Sequence, residues 1–130
     1  MVTILRCTDR EELSRLRERA GLSGRREAEA LVMRESGKAL AACLFDGKTC
    51  EILSVLTEQG APDYAARAVM SAALGALENA GNKTAYCRDG ALRALALSLG
   101  FCQTEGGALA VSLPDFVSGR VGKCKGCGGE

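Results

Sequence analysis

The pattern of apolar and polar positions divides the first 117 residues into short elements. Leu13, Leu16 and Ala20 recur at helical spacing among charges of both signs, which predicts an amphipathic helix. Nearly continuous apolar runs instead predict strands that are covered on both faces. The predicted helices span residues 8–21, 62–80 and 90–99. The predicted strands span residues 2–7, 28–35, 39–45, 49–57, 83–87, 101–104 and 108–113.

Glycine, proline and capping residues mark the boundaries between these elements. Ser36-Gly37-Lys38 closes the hairpin between the second and third strands. Asp46-Gly47 predicts a tight turn before the fourth strand, because both central positions of such a turn need positive φ. Pro62 suits the first position of the long helix, and Thr8 with Glu11 fits a capping box at the first helix.

The order of the elements predicts the fold class. The segment between strands 49–57 and 83–87 has the length of a helical crossover, so these two strands should be parallel. The whole order, β-α-β-β-β-α-β-α-β-β, predicts an α+β (mixed α/β) protein with a twisted mixed sheet, mostly antiparallel, and flanking helices. We expect one domain over residues 1–117 and a glycine- and cysteine-rich tail over residues 118–130.

Charge and composition exclude several function classes. The chain has 17 basic and 16 acidic residues, a net charge of +1, and no tryptophan. A nucleic-acid partner is therefore not expected, because such proteins usually carry a basic excess and aromatic residues for base stacking. The chain has no histidine, which excludes a Ser-His-Asp triad and any histidine-ligated metal site within it.

The N-terminal residues and the lengths of the apolar runs bear on location. The first residues lack a basic region followed by a long apolar stretch, so no signal peptide is visible. No run approaches the ~20 apolar residues that a membrane span needs. These features predict a cytoplasmic protein without a membrane partner, and free thiols rather than a disulfide framework.

Two of the seven cysteines, Cys124 and Cys127, lie two residues apart in the tail. Such a pair can supply two of the four ligands of a tetrahedral zinc ion. Cys7, Cys87, Cys102 or a second chain would have to complete the site. A redox dithiol and a flexible tail with inert thiols are the alternatives that the spacing leaves open.

Three features in order resemble the GNAT family of N-acetyltransferases, and the resemblance covers residues 2–113. The first is the three-stranded meander followed by a loop and a helix that begins Pro62-Asp63-Tyr64. The second is the crossover strand 83–87. The third is the alanine- and leucine-rich segment 94–101, which ends in Gly-Phe. The resemblance implies an N-acyltransferase that uses acetyl-CoA and a small-molecule or peptide amine.

The resemblance also implies a cofactor site. The coenzyme A pyrophosphate should meet the backbone N–H groups at the start of the long helix and the side chain of Arg67. The pantetheine arm should lie in a cleft where strands 49–57 and 83–87 diverge. Met70 departs from the small residue of the family pattern and should narrow the approach. The implied cofactor-binding residues are Val55, Leu56, Ala65, Ala66, Arg67 and Ala68.

The positions expected to carry out catalysis match the family pattern less completely than the cofactor site does. The resemblance implies a base that removes the amine proton, for which Glu51 and Glu58 are the candidates. The family's tyrosine acid is replaced by Ala96. Two other functions therefore stay open: a non-catalytic binding or interaction protein with a degenerate coenzyme A site, and a thiol or metal protein that acts through the tail. A homodimer through the edge of the meander also stays open.

Overall fold

Seven strands form one mixed sheet in the computed structural model, which describes residues 2–117. The strands are β1 (Val2–Arg6), β2 (Ala28–Glu35), β3 (Lys38–Asp46), β4 (Glu51–Thr57), β5 (Thr84–Cys87), β6 (Cys102–Gln103) and β7 (Leu109–Ser112). Their spatial order is β1-β2-β3-β4-β5-β7-β6. Every neighbouring pair is antiparallel except β4 and β5. The predicted α+β class and mostly antiparallel sheet are confirmed.

Helices cover both faces of this sheet. They are α1 (Arg10–Arg19), α2 (Ala65–Asn79), α3 (Arg93–Ser98) and α4 (Leu113–Val117). Leu13 and Leu16 of α1 pack on one face, called the α1 face, together with Val32 and Leu44 of the sheet. Helices α2, α3 and α4 pack on the opposite face, called the α2 face, and bury the larger core cluster with residues such as Phe45. Both faces of the central strands are therefore buried, which explains their continuous apolar runs.

The crossover between β4 and β5 has the predicted direction. Glu51 pairs with Tyr86 and Ile52 pairs with Cys87 in parallel register. The backbone N–H of Tyr86 also donates to the carbonyl of Cys50 at 2.8 Å. Helix α2 makes the connection, and its buried alanines allow it to lie close to the sheet. The predicted final hairpin is also confirmed, because β6 and β7 pair antiparallel.

The tight two-residue turn that we expected at Asp46-Gly47, between β3 and β4, is found instead between β2 and β3. The two-residue turn with positive φ lies at Ser36 and Gly37, whose φ values are 53° and 81°. Between β3 and β4 the loop has four residues, 47–50, and its positive φ of 58° falls on Cys50. The Asp46 carboxylate accepts hydrogen bonds from N–H groups within that loop, and this Asx-turn geometry replaces the tight turn.

Helix boundaries also differ in detail. Asp9, not Thr8, caps α1 by accepting hydrogen bonds from the N–H groups of Glu11 and Glu12. Helix α2 begins at Ala65, three residues after Pro62, because residues 62–64 form a turn that leads into it. Helix α4 was not expected from the sequence, although proline near a helix start is common. The tail predicted over residues 118–130 lies outside the described residues.

Candidate active site

Strand β4 carries a bulge next to the point where its pairing with β5 ends. Leu44 of β3 pairs with Ser54, and Phe45 pairs with Ile52, so Leu53 is the extra residue. The last β4 residue that pairs with β5 is Ile52. A bulge bends its strand and increases the local twist. Strand β5 ends at Cys87, the partner of Ile52, so from Leu53 onward no described strand pairs with the β5 side of β4.

The bulge also determines the direction of the next two side chains. Leu53 and Ser54 lie opposite the single residue Leu44, so the alternation of side chains shifts by one position. Val55 consequently packs against the core of the α2 face, whereas Leu56 packs on the α1 face. Both side chains are half-buried and lie beyond the paired part of β4.

The N-terminus of α2 follows β4 after the loop 58–64. The N–H of Ala65 donates to the carbonyl of Pro62 at 3.0 Å, and the N–H of Ala68 donates to Tyr64 at 2.9 Å. In the described chain, the N–H groups of Ala66 and Arg67 have no acceptor. Free N–H groups and the positive end of the helix dipole favour an anion at this position.

Arg67 lies at this helix start and is exposed. Its Nη1 donates to the hydroxyl of Ser98 at 2.9 Å and approaches the Ser98 carbonyl oxygen at 3.5 Å. The Ser98 hydroxyl in turn donates to the carbonyl of Leu95 at 2.7 Å. The guanidinium therefore bridges α2 to α3 through neutral partners, and no described carboxylate forms an ion pair with it.

Two departures from the family pattern lie in the core. Met70 is fully buried on the sheet-facing side of α2, so it does not narrow the approach to the helix N-terminus. The expectation that Met70 narrows the approach to the helix was wrong, because its side chain points toward the sheet and away from the free N–H groups. Ala96 of α3 is also fully buried and offers no proton donor.

A pocket of about 250 Å³ lies on the α1 face, between α1 and strands β2, β3 and β4. It touches β4 through Leu56, so it adjoins the part of β4 that follows the bulge. Its charged lining residues are Glu12, Arg15, Arg19 and Glu58. Its apolar lining residues are Leu16, Val32, Ala39, Ala41, Ala42 and Leu56.

The charged residues of this pocket are paired with one exception. Arg19 Nη1 lies 2.6 Å from Glu58 Oε1. Glu12 accepts a hydrogen bond from Arg34, which lies on β2. Arg15 has no hydrogen-bond or ion-pair partner within residues 2–117. The pocket therefore combines an apolar lining with one exposed arginine that has no ion-pair partner among the described residues.

Comparisons with known proteins identify the fold and nothing finer. No protein-family model and no curated protein sequence matches the chain. Solved structures do match it along most of its length. The ribosomal-protein-S18-alanine N-acetyltransferase from Escherichia coli is 19% identical, with a TM-score of 0.62 over 87% of this chain and 94% of that one. AtaTR bound with AcCoA is 14% identical, with a TM-score of 0.67 over 90% and 96%.

A third structure, an N-acetyltransferase from Staphylococcus aureus, is 13% identical, with a TM-score of 0.60 over 87% of this chain and 99% of that one. The chain has the GNAT fold. At these identities the match concerns the arrangement of strands and helices, which GNAT-fold proteins can share while they differ in substrate. The resemblance inferred from residues 2–113 is thus confirmed at the level of the fold.

Within this GNAT fold, the two candidate bases lie at opposite ends of β4. Glu51 is at its start and Glu58 just after its end, seven residues and roughly 23 Å apart. Glu58 lines the α1-face pocket. The carboxylate of Glu51 contacts Arg88 at 2.9 Å and lies 3.8 Å from Arg25. The structure therefore does not bring the two carboxylates to one place.

A buried carboxylate lies beside Glu51 in this GNAT-fold chain. Asp46 is 2% exposed, and its Oδ2 accepts a hydrogen bond from Arg25 at 2.9 Å. Burial raises the pKa of Asp46, but hydrogen bonds from Arg25, Lys48 and Thr49 outweigh it and hold that pKa below its usual value. The cluster fastens the loop 20–27 to the β3–β4 hairpin, at the end of β4 remote from the pocket.

The predicted zinc ligands Cys124 and Cys127 lie outside the described residues. Within residues 2–117, no group of three or more metal-ligating side chains is present. Cys7 and Cys87 are buried free thiols whose pKa values are raised by burial, which disfavours the thiolate that zinc needs. Cys102 is disulfide-bonded, contrary to the expectation of free thiols, so it is not available as a third thiolate. The described residues thus give zinc no support.

No helix in the described part of the chain is long and apolar enough to cross a membrane.

Two features of the candidate site were not predicted from the sequence: the bulge at Leu53 and the α1-face pocket. Arg15 and Arg19, four residues apart on one helix, were the visible signal for the pocket. Nothing in the sequence indicated that Arg19 would be paired and Arg15 would not.

Proposed function

We propose that the chain transfers the acetyl group of acetyl-CoA to a primary amine. The end of the β4–β5 pairing beside the bulge supports this proposal, because it leaves the β5 side of β4 unpaired among the described residues from Leu53 onward, on the strand that precedes the N-terminus of α2. An extended thioester lying along the β5 side of β4 would place its phosphates at that helix start. Its acyl group would lie near Val55 and Leu56, and Leu56 also lines the α1-face pocket.

The pyrophosphate would be bound by the N–H groups of Ala66 and Arg67, by the helix dipole, and by the Arg67 guanidinium. Ala66 and Ala68 are partly exposed and carry small side chains at this helix turn, whereas the side chain of Ala65 is fully buried in the core. Arg67 would exchange its bond to the neutral Ser98 hydroxyl for a charge-assisted bond, which is about twice as strong.

In the reaction, the amine nitrogen attacks the thioester carbonyl carbon, and the C–S bond breaks to release coenzyme A as a thiolate. Unpaired N–H groups on the β5 side of β4 would stabilise the negative oxygen of the tetrahedral intermediate. Glu58 would accept the amine proton, because its carboxylate lines the pocket next to Leu56. With Ala96 at the position of the family's acid, water would protonate the thiolate.

Arg67→Glu tests the cofactor site, measured by calorimetric titration of the full chain with acetyl-CoA. Replacing a charge-assisted contact by repulsion should weaken binding by ~1.5–3 kcal/mol or more. Arg93→Glu is the matched control, since Arg93 is an exposed cation of α3 whose hydrogen bond goes to Gln103. Equal affinity of Arg67→Glu and Arg93→Glu would remove Arg67 from the site, and no binding by the wild type would refute the proposed function.

A non-catalytic coenzyme A-binding protein is the second candidate. The buried Ala96, which leaves the GNAT-type acid position without a proton donor, favours it. Mass spectrometry of amine panels incubated with acetyl-CoA separates the two candidates. Acetyl-CoA binding without acetylated product from any amine would support the non-catalytic function.

A further inference from the structure

One charge in the α1-face pocket has no counterpart in the described chain. Glu12 is engaged by Arg34, and Glu58 is engaged by Arg19. Arg15, which also lines the pocket, has no ion-pair or hydrogen-bond partner within residues 2–117. An arginine without an ion-pair partner beside an apolar lining can bind a small anion that has an aliphatic part.

We propose that the acceptor is a primary amine that also carries a carboxylate, an amino-acid-like molecule. Its carboxylate would bind the Arg15 guanidinium, whose fork of N–H donors matches a carboxylate. Its amine would lie at Glu58, which the proposed function places beside the acyl group. The inference rests on that proposed function, and it specifies the class of substrate for the same site.

The dimensions of the pocket fit this class. Its volume of about 250 Å³ lies below the ~300–1,000 Å³ typical of pockets for drug-sized ligands. Arg15 and Arg19 lie one helical turn apart, a rise of about 6 Å. Because Arg19 contacts Glu58, a ligand whose amine and carboxylate are separated by a few bonds would span from Glu58 to Arg15.

The same arrangement opposes other amines. A polyamine would place a second ammonium group beside Arg15, where like charges repel. A neutral amine would leave Arg15 without a partner and would gain no charge-assisted bond. The Arg19–Glu58 ion pair is partly exposed, so the acceptor ammonium can displace Arg19 at modest cost. The ammonium would lose one proton to water before the nitrogen attacks, and Glu58 would take the second proton as the amide forms.

Two pairs of acceptors test the proposal on the full chain: 4-aminobutyrate and β-alanine, each against its own amide. The members of a pair differ in the carboxylate and keep the same primary amine. We expect the acid to exceed the amide by about tenfold or more in kcat/KM, measured as acetylated product by mass spectrometry. Arg15→Gln should reduce this ratio to near one.

Arg10→Gln is the matched control, since Arg10 is an exposed arginine at the start of α1 and does not line the pocket. It should retain the preference for the acid. Product from both members of a pair at equal efficiency in the wild type would overturn the inference while the proposed function stands. The same result from Arg15→Gln and Arg10→Gln would overturn it as well.

Binding without turnover supplies a second measurement. Amide resonances of the ¹⁵N-labelled chain are followed during titration with 4-aminobutyrate and with its amide. Shifts at Arg15, Arg19 and Leu56 that need the carboxylate and vanish in Arg15→Gln support the pocket even if acyl transfer is absent and the proposed function fails. No shifts at these residues with either ligand, together with no preference for the acid, would overturn the inference.

Discussion

Replacing the buried Asp46 by asparagine should destabilise the protein in a pH-dependent manner. Asparagine keeps a carbonyl oxygen for the N–H groups of Lys48 and Thr49, which donate to Oδ1 at 2.8 and 3.3 Å. Its amide nitrogen instead faces Arg25 and loses the charge-assisted bond of 2.9 Å at Oδ2. Such a bond contributes ~1.5–3 kcal/mol, and partial exposure of Arg25 reduces the expected loss to about 1.5 kcal/mol.

The pH dependence follows from the direction of the Asp46 pKa. This pKa is lower in the folded than in the unfolded chain, so the native state favours the carboxylate. The stabilisation is fully present above the unfolded pKa, near 3.8, and is lost as the pH falls through the folded value. The difference between the wild type and Asp46→Asn should therefore be largest near neutral pH and should shrink below about pH 4.

Thermal unfolding at pH 7 and pH 3, followed by far-UV circular dichroism, measures both effects in a chain without tryptophan. At pH 7 the thermal midpoint should fall by about 5 °C. Glu27→Gln is the control, because its ion pair with Lys48 is largely exposed at the same hairpin, and it should change the midpoint by no more than ~1 °C. A destabilisation by Asp46→Asn that is equal or larger at pH 3 would refute the assigned pKa direction.

The remaining predictions concern the base and the tail. Glu58→Gln should lower the rate of acetyl transfer by ~10²–10⁴-fold at neutral pH without weakening acetyl-CoA binding. Glu51→Gln should change the rate of acetyl transfer little. The opposite ranking of the two variants in single-turnover assays would make Glu51 the base. If the tail binds zinc, protein purified with reductant should contain metal that is lost on replacing Cys124 and Cys127 by serine. Elemental analysis checks this, and less than about 0.2 zinc per chain would end the zinc hypothesis.

The topology was predictable because it depends on lengths and periodicities. A helix-length segment separates 49–57 from 83–87, and this length accommodates the crossover helix that a parallel pair needs. The turn between β3 and β4 was predicted wrongly, since Asp46-Gly47 is compatible with two geometries. The aspartate used its side chain to bond the N–H groups of Lys48 and Thr49, and the positive φ moved to Cys50.

The candidate site was harder to infer than the fold. The bulge at Leu53 cannot be seen in an apolar run, because both faces of β4 contact apolar neighbours and a one-residue shift therefore leaves the sequence pattern unchanged. The family pattern misplaced Met70, whose burial follows from helical periodicity because it shares one buried stripe with Ala65 and Ala73. The pocket requires α1 to dock at one position, which no local pattern specifies.

Because of the bulge, the structure of β4 depends more on the number of residues in this part of the chain than on which apolar residues they are. With Leu53 as the extra position, Leu56 faces α1 and Val55 faces α2. Removing a single residue there would reverse the parity of every position that follows in the strand. Conservative substitutions in 52–56 should thus survive evolution far more often than single-residue insertions or deletions. Homologues should diverge in side chains here while keeping the spacing between Ile52 and α2.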